Sequence, residues 1–241
     1  NAGTYDARGI MVNLGLARCA GADDAYGIYS GLTAGPRDRW RTPHGEMSYK
    51  SPYFAGCSGE YVFWFYSPSN PMSYFDFYKK HGEKILAEFV KIRKANNMSY
   101  HSRILPVENR YVDSMFYVKS RMVKNLLVTN AYAATYQIKM KEATMYVMKF
   151  ESPEEAEKRT AEYVHILVNN NIIPVDFMPM PGSPTKAYYW DEKSGVSILC
   201  QYRWLVLYLA NMSDNEYAKS FIQIMFRNMA KIRNEVMPKV K

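Results

Sequence analysis

One short pattern recurs along the chain and constrains its fold more than any other feature. In each copy an apolar, β-rich run ends in a small polar step, and an amphipathic helix begins at once. The four runs are 10–16, 61–66, 144–150 and 204–209, and the helices after them are 23–29, 72–96, 153–170 and 215–236. Repeated strand-to-helix steps are typical of layered folds in which helices pack on sheets.

Capping residues mark the starts of two of these helices. Ser152 stands at the N-cap, Pro153 occupies the first helical position, and Glu155 completes a capping box. Ser213 and Glu216 form the same box before the last helix. These signals fix where the strand-to-helix steps fall.

Further strands precede the longer copies across turns, which predicts antiparallel hairpins. The expected pairs are 46–54 with 61–66 across a turn at 55–59, 132–140 with 144–150, and 196–201 with 204–209, with one more strand at 186–190. The sequence therefore predicts an α+β protein whose antiparallel sheets carry helices on one face.

Four strand–helix units with hairpin strands suit two ferredoxin-like halves, each of the split βαββαβ kind. Residues 1–100 would form the first half and residues 126–241 the second. Residues 101–125 would connect them, because that stretch shows no clean period.

The strand at 61–66 is bulky on both faces, since Tyr61, Phe63 and Phe65 alternate with other large side chains. Such a strand is either central and covered on both sides or offers one face to a partner. The chain holds 21 Tyr and 15 Met, and Tyr is frequent both in cores and at interfaces.

Composition excludes several classes of protein. Hydrophobic residues make up 48% of the 241 residues, which is incompatible with disorder. The longest apolar run, 204–210, is far shorter than the ~20 residues of a membrane span. The net charge of +8 is spread over groups such as Arg37, Arg39 and Arg41, which we interpret as solvated surface, so no nucleic-acid partner is expected.

The three cysteines, Cys19, Cys57 and Cys200, form no CxxC pair, so they predict no metal site. One disulfide, with Cys19 and Cys57 as the hypothesis, and three free thiols both remain open. Asn1 opens the sequence, which is compatible with a removed signal peptide or with residues missing upstream.

The histidines show no metal-ligand spacing. We interpret His44, His81, His101 and His165 as surface or structural residues, with His44 the best site candidate because it lies in a polar loop beside Arg41.

The acidic pairs are interpreted as helix starts rather than catalytic carboxylates, because negative charge favours a helix N-terminus. The pairs are Asp23 with Asp24 and Glu154 with Glu155. Because no nucleophile elbow, phosphate loop or dinucleotide fingerprint occurs, no catalytic residue and no cofactor is predicted.

The segment Asp23-Asp24-Ala25-Tyr26-Gly27-Ile28-Tyr29-Ser30 resembles the signature of an uncharacterised family of exported bacterial proteins, a domain of unknown function. A hairpin at 53–66, the Leu105-Pro106 step and the strand–Pro–helix at 150–161 follow in the order of that family. Residues 107–110 depart from the family pattern, which has Gly and Ser after the Leu-Pro step. The resemblance implies a periplasmic or extracellular location and no established activity.

Two functions stay open at this point, and enzymatic activity is left undecided between them. The first is an exported accessory or binding subunit of a cell-envelope complex, which binds protein partners or forms a homo-oligomer. The second is a dimeric α+β barrel-type protein that binds haem or an aromatic small molecule between its halves, with His81 or His165 as the axial ligand.

Overall fold

The structure is a computed structural model that describes residues 2–7, 10–33, 38–68, 74–92, 104–111, 114–138, 141–177, 186–192, 195–212 and 215–236. The chain divides into two compact units, Asn1–Ser99 and Tyr100–Lys241.

The described residues of the first unit form a six-stranded antiparallel sheet and two helices. The sheet order is β1-β2-β6-β5-β4-β3. The elements are β1 (Ala2–Ala7), β2 (Ile10–Arg18), α1 (Ala22–Leu32), β3 (Asp38–Thr42), β4 (Gly45–Lys50), β5 (Tyr53–Ser58), β6 (Tyr61–Tyr66) and α2 (Phe75–Ile92).

The described residues of the second unit form a seven-stranded antiparallel sheet and two helices. The sheet order is β10-β11-β12-β13-β9-β8-β7. The elements are β7 (Phe116–Val123), β8 (Leu126–Ile138), β9 (Lys141–Lys149), α3 (Pro153–Asn169), β10 (Val175–Phe177), β11 (Lys186–Glu192), β12 (Gly195–Tyr202), β13 (Leu205–Met212) and α4 (Asn215–Val236).

The two units share one connectivity. Each runs through a hairpin, a helix, four consecutive antiparallel strands and a second helix, and β7 is the additional strand of the second unit. The last strand of each unit returns to pair with the strand before the first helix, so β6 lies beside β2 and β13 lies beside β9. The four strand-to-helix copies of the sequence are therefore confirmed, and their strands are the paired central strands of the two sheets.

The prediction of an α+β protein with antiparallel sheets is confirmed, but the prediction of helices on one face is wrong. In the first unit, Phe54 and Phe63 pack in one cluster with Leu86 of α2. On the opposite face, the Ser48 hydroxyl donates a hydrogen bond to the Thr33 hydroxyl at the end of α1, over 3.0 Å. The two helices thus cover opposite faces of the sheet.

The second unit repeats this arrangement. Tyr163 of α3 packs in one cluster with Met148 and Tyr208. On the other face Phe221 of α4 meets the ring of Tyr136, with 4.7 Å between the ring centroids. Because each central strand is covered on both sides, its apolar residues do not alternate with polar ones. Of the two alternatives for residues 61–66, the structure therefore shows the central strand that is covered on both faces.

The split βαββαβ arrangement is not confirmed. In each unit the first helix leads to a strand at the far edge of the sheet, and three hairpins then bring the chain back to the centre. Consecutive hairpins place sequential strands side by side, so every neighbour is antiparallel. The second unit also includes β7 in the stretch 101–125, where the sequence predicted only a connection.

The hairpin in the first unit differs from its predicted boundaries. The expected strand 46–54 divides into β4 and β5, and residues 55–58, expected to turn, belong to β5. Gly56 suggested a turn but lies within the strand, where an added Cβ would stand 2.4 Å from the Phe63 ring. The glycine is there for close packing and not for chain reversal.

We predict opposite effects for alanine at two helical glycines. An added Cβ at Gly82 would stand 2.9 Å from Phe63 and 3.0 Å from the Met47 sulfur, so Gly82→Ala should destabilise the protein by about 1–2 kcal/mol. At Gly31 a Cβ meets nothing within 4 Å, so Gly31→Ala should stabilise it by about 0.5–1 kcal/mol. Urea unfolding measures both, and a stabilising Gly82→Ala would contradict the packing described for α2.

Candidate functional site

The inner face of α1 is built from residues 25–30. Ala25, Tyr26, Tyr29 and Ser30 are all buried, and the two tyrosine rings lie 5.6 Å apart between centroids. The Ser30 hydroxyl donates a hydrogen bond to the Gly27 carbonyl. The spacing of one helical turn between Tyr26 and Tyr29 directs both rings toward the sheet.

Arg39 of β3 fills the space beside these tyrosines. Its side chain is only 7% exposed. One Nη atom donates a hydrogen bond to the Tyr26 hydroxyl over 2.7 Å, and it also bonds the carboxylate of Glu46. The guanidinium lies 5.6 Å from the ring centroid of Tyr26 and 5.9 Å from that of Tyr29. The cation is therefore held by a carboxylate, a phenol and two aromatic faces.

Glu46 uses both carboxylate oxygens. The oxygen not bonded to Arg39 is 3.2 Å from Nε of Arg41, whose side chain is 77% exposed. The two arginines and one glutamate form a network that runs from the interior to the surface. We call Tyr26, Tyr29, Arg39, Arg41 and Glu46 the arginine–tyrosine cluster.

Strand register brings the cluster together. In the β3–β4 hairpin Arg41 pairs with Glu46 and Arg39 pairs with Ser48, so these side chains share the face that α1 covers. The Thr33 hydroxyl donates to the Tyr29 carbonyl over 2.9 Å and accepts from Ser48. These bonds fix the C-terminal end of α1 to β4.

Burial decides the protonation states in the cluster. Burial raises the pKa of the Tyr29 phenol, and the nearby Cys57 adds to that rise. Burial lowers the pKa of the Arg39 guanidinium, but Tyr26, Glu46 and Tyr29 together raise it by more. At neutral pH Tyr29 is a neutral phenol and Arg39 a cation, so the cluster is suited to holding α1 on the sheet.

The second unit replaces this polar cluster with apolar packing. On the corresponding face, which α3 covers, the rings of Trp190, Tyr208 and Tyr146 stack in a row across the sheet. The Tyr163 hydroxyl donates to the Leu127 carbonyl, and burial raises its pKa to about 12. In the second unit, stacked rings therefore lie under the first helix where the first unit has the Arg39–Glu46 pair.

The Leu105-Pro106 step is anchored in a comparable way. The Tyr136 hydroxyl donates to the Pro106 carbonyl over 3.0 Å, and the Asn228 amide of α4 donates to the Ile104 carbonyl over 3.4 Å. Residues 104–106 thus contribute buried contacts to the second unit, as α1 does to the first.

The predicted helix starts are found where the sequence placed them. The Ser152 hydroxyl accepts from the Glu155 amide over 3.2 Å, and the Glu155 carboxylate accepts from the Glu151 amide over 3.0 Å. Asp23 and Asp24 occupy the first turn of α1. Ser213 of the second expected capping box lies outside the described residues.

The three described histidines, His44, His81 and His165, each make local contacts within their own unit. His81 packs on Phe77 within α2, with ring centroids 4.2 Å apart, and an exposed ring nitrogen of His165 lies 3.0 Å from the Asn169 amide. The His44 carbonyl accepts from the Ser58 hydroxyl over 2.6 Å in the β3–β4 turn. His101 lies outside the described residues. Haem binding by His81 or His165 stays a prediction.

The structure contains no disulfide bond between Cys19 and Cys57. Within the part of the chain that the structure describes, no three His, Cys, Asp or Glu side chains are grouped to hold a metal ion. The described helices include none that is long and apolar enough to cross a membrane.

Comparison of the chain with protein-family models, curated proteins and solved structures finds no match. Sequence reasoning missed Arg39 and Glu46, and it placed Arg39 in a solvated group. The sequence did contain a signal for this cluster, since polar residues alternate along both strands of the hairpin. As a result Arg39, Arg41, Glu46 and Ser48 lie on one face of it. That signal was concealed because β3 itself was not recognised as a strand.

We predict that Arg39→Met lowers the free energy of unfolding by about 2–4 kcal/mol, because the Glu46 carboxylate, only 14% exposed, keeps just one partner. Arg41→Ala is the matched control and should cost at most about 1 kcal/mol, because that side chain is mostly exposed. Urea unfolding compares the two variants. Equal losses would contradict the buried position of Arg39.

We predict that Cys19 reacts first with a thiol reagent. Cys19 is partly exposed, whereas Cys57 and Cys200 are buried and burial raises the pKa of the Cys200 thiol. Iodoacetamide should label Cys19 in the folded protein and label Cys200 only after denaturation, as read by peptide mass spectrometry. Rapid labelling of Cys200 in the folded protein would contradict its position in β12.

Proposed function

We propose that this protein is an exported accessory or binding subunit of a cell-envelope complex, located in the periplasm or outside the cell. The observation that carries the proposal is the duplication of one module within one chain. Two sheets of the same connectivity, each with open edges among the described residues, offer repeated surfaces to protein partners.

The arginine–tyrosine cluster supports a binding role. Its charged and phenolic groups bond one another and hold α1 on the sheet, so they stiffen the module. A stiff surface loses little conformational entropy on association, which favours binding. The outward residue Ile28 of the same helix is 41% exposed and so lies where a partner could contact it.

The resemblance to an exported family supports the location. The segment 23–30, which carries that resemblance, forms α1 and its contacts with the sheet. We propose that the chain shares the family's export as well as its signature. No step in this proposal requires a cofactor or a catalytic residue.

We predict that protein from its native source is found in the envelope fraction and co-purifies with a partner at fixed stoichiometry. Osmotic release followed by size-exclusion chromatography with light scattering measures both, with a cytoplasmic enzyme as the fractionation control. A cytoplasmic monomer would contradict the proposal. A Soret absorbance band that is lost in His81→Ala or His165→Ala would instead support the haem-binding alternative.

A further inference from the structure

β1 forms one end of the first sheet. It pairs with β2 without interruption from Ala2 opposite Gly15 to Ala7 opposite Ile10. Among the described residues, no strand pairs with its other side. An edge strand of this kind presents a row of backbone N–H and C=O groups that can pair with a further strand.

The second unit shows what covers the equivalent edge. β8 holds the place in that sheet that β1 holds in the first, since each precedes the strand that leads into the first helix. β7 pairs antiparallel with β8, from Phe116 opposite Ala133 to Val123 opposite Leu126. The same module therefore accepts an added antiparallel strand at this position.

The residue types of β1 also differ from those of the other edge strands. Edge strands are commonly protected against added strands by charge, proline or short length. β3 has Arg39 and Arg41, β7 has Lys119 and Arg121, and β10 has only three residues. β1 is Ala-Gly-Thr-Tyr-Asp-Ala, six residues without Lys, Arg or Pro.

We propose that an extended segment of a partner protein adds to the outer edge of β1 as an antiparallel strand, in the place that β7 takes beside β8. This inference rests on the proposed binding function and names its surface. Backbone hydrogen bonds supply the affinity in this mode of recognition, and side chains supply the specificity. β7 is the strand that the equivalent edge accepts and it carries Lys119 and Arg121, so the segment is one that carries Lys or Arg.

The probe is a synthetic peptide with the sequence of residues 116–123, because β7 is the strand that the equivalent edge accepts. Hydrogen-exchange mass spectrometry of the whole protein should show that the peptide slows exchange of the β1 amides about 10-fold or more. The same peptide carrying Val118→Pro is the matched control and should give no protection, since proline cannot donate to the ladder.

A substitution in the protein, rather than in the peptide, tests the same edge. Thr4→Lys adds to β1 the type of charge that protects β3 and β7, and it should weaken peptide binding about 10-fold. Ser120→Lys makes the same change on the edge strand β7 and should leave binding unchanged. Circular dichroism and thermal unfolding establish that both variants are folded.

Three results would overturn the inference. One is the absence of protection at ~1 mM peptide, where even a weak complex is populated. Another is protection confined to β8, which would mean that the peptide exchanges with β7. The third is protection of β1 that rises with protein concentration without peptide, which would make a second copy the occupant. If Thr4→Lys still retains the partner found in the native complex, the edge inference fails while the binding function stands.

Discussion

The pairing of each unit's last strand with the strand before its first helix determines most of this architecture. Because β6 runs antiparallel to β2, and β13 to β9, the two strands of each pair end at opposite ends of the sheet. Their helices therefore start from opposite ends, and in each unit they cover opposite faces. A sheet covered on both faces needs central strands that are apolar on both faces.

This two-sided burial accounts for the large aromatic content of the central strands. Phe63 and Phe65 face α2, while Val62 lies on the face of α1, and all three are buried. In the second unit Tyr146 and Tyr208 stack under α3, while Val147 and Leu207 lie on the opposite face. Aromatic rings bury large areas, and α2 and α3, of 18 and 17 residues, pack on them.

The two units hold their first helix on the sheet with different contacts. In the first unit a buried cation holds α1 through Tyr26 and Glu46, whereas the second unit uses stacked rings under α3. A buried ion pair contributes little net stability compared with apolar packing, but its charge-assisted hydrogen bonds are directional. The network therefore fixes where α1 lies on the first sheet. Two residues of the cluster, Tyr26 and Tyr29, come from α1, and the other three come from the β3–β4 hairpin.

The sequence by itself determined the strand-to-helix steps, the helix starts and the α+β class, because these depend on local periodicity and on capping residues such as Ser152. It also located two hairpins of the second unit, β8–β9 and β12–β13, but missed the edge strands β7 and β10. Only the tertiary structure decided the sheet order, the two-sided covering and the arginine–tyrosine cluster. Those features depend on which distant strands pair, and residue types alone do not encode whether Arg39 meets water or the ring of Tyr26. Burial of Arg39 follows from the register of β3 with β4, and β3 is five residues long with mixed polarity, so its pattern is too short to recognise.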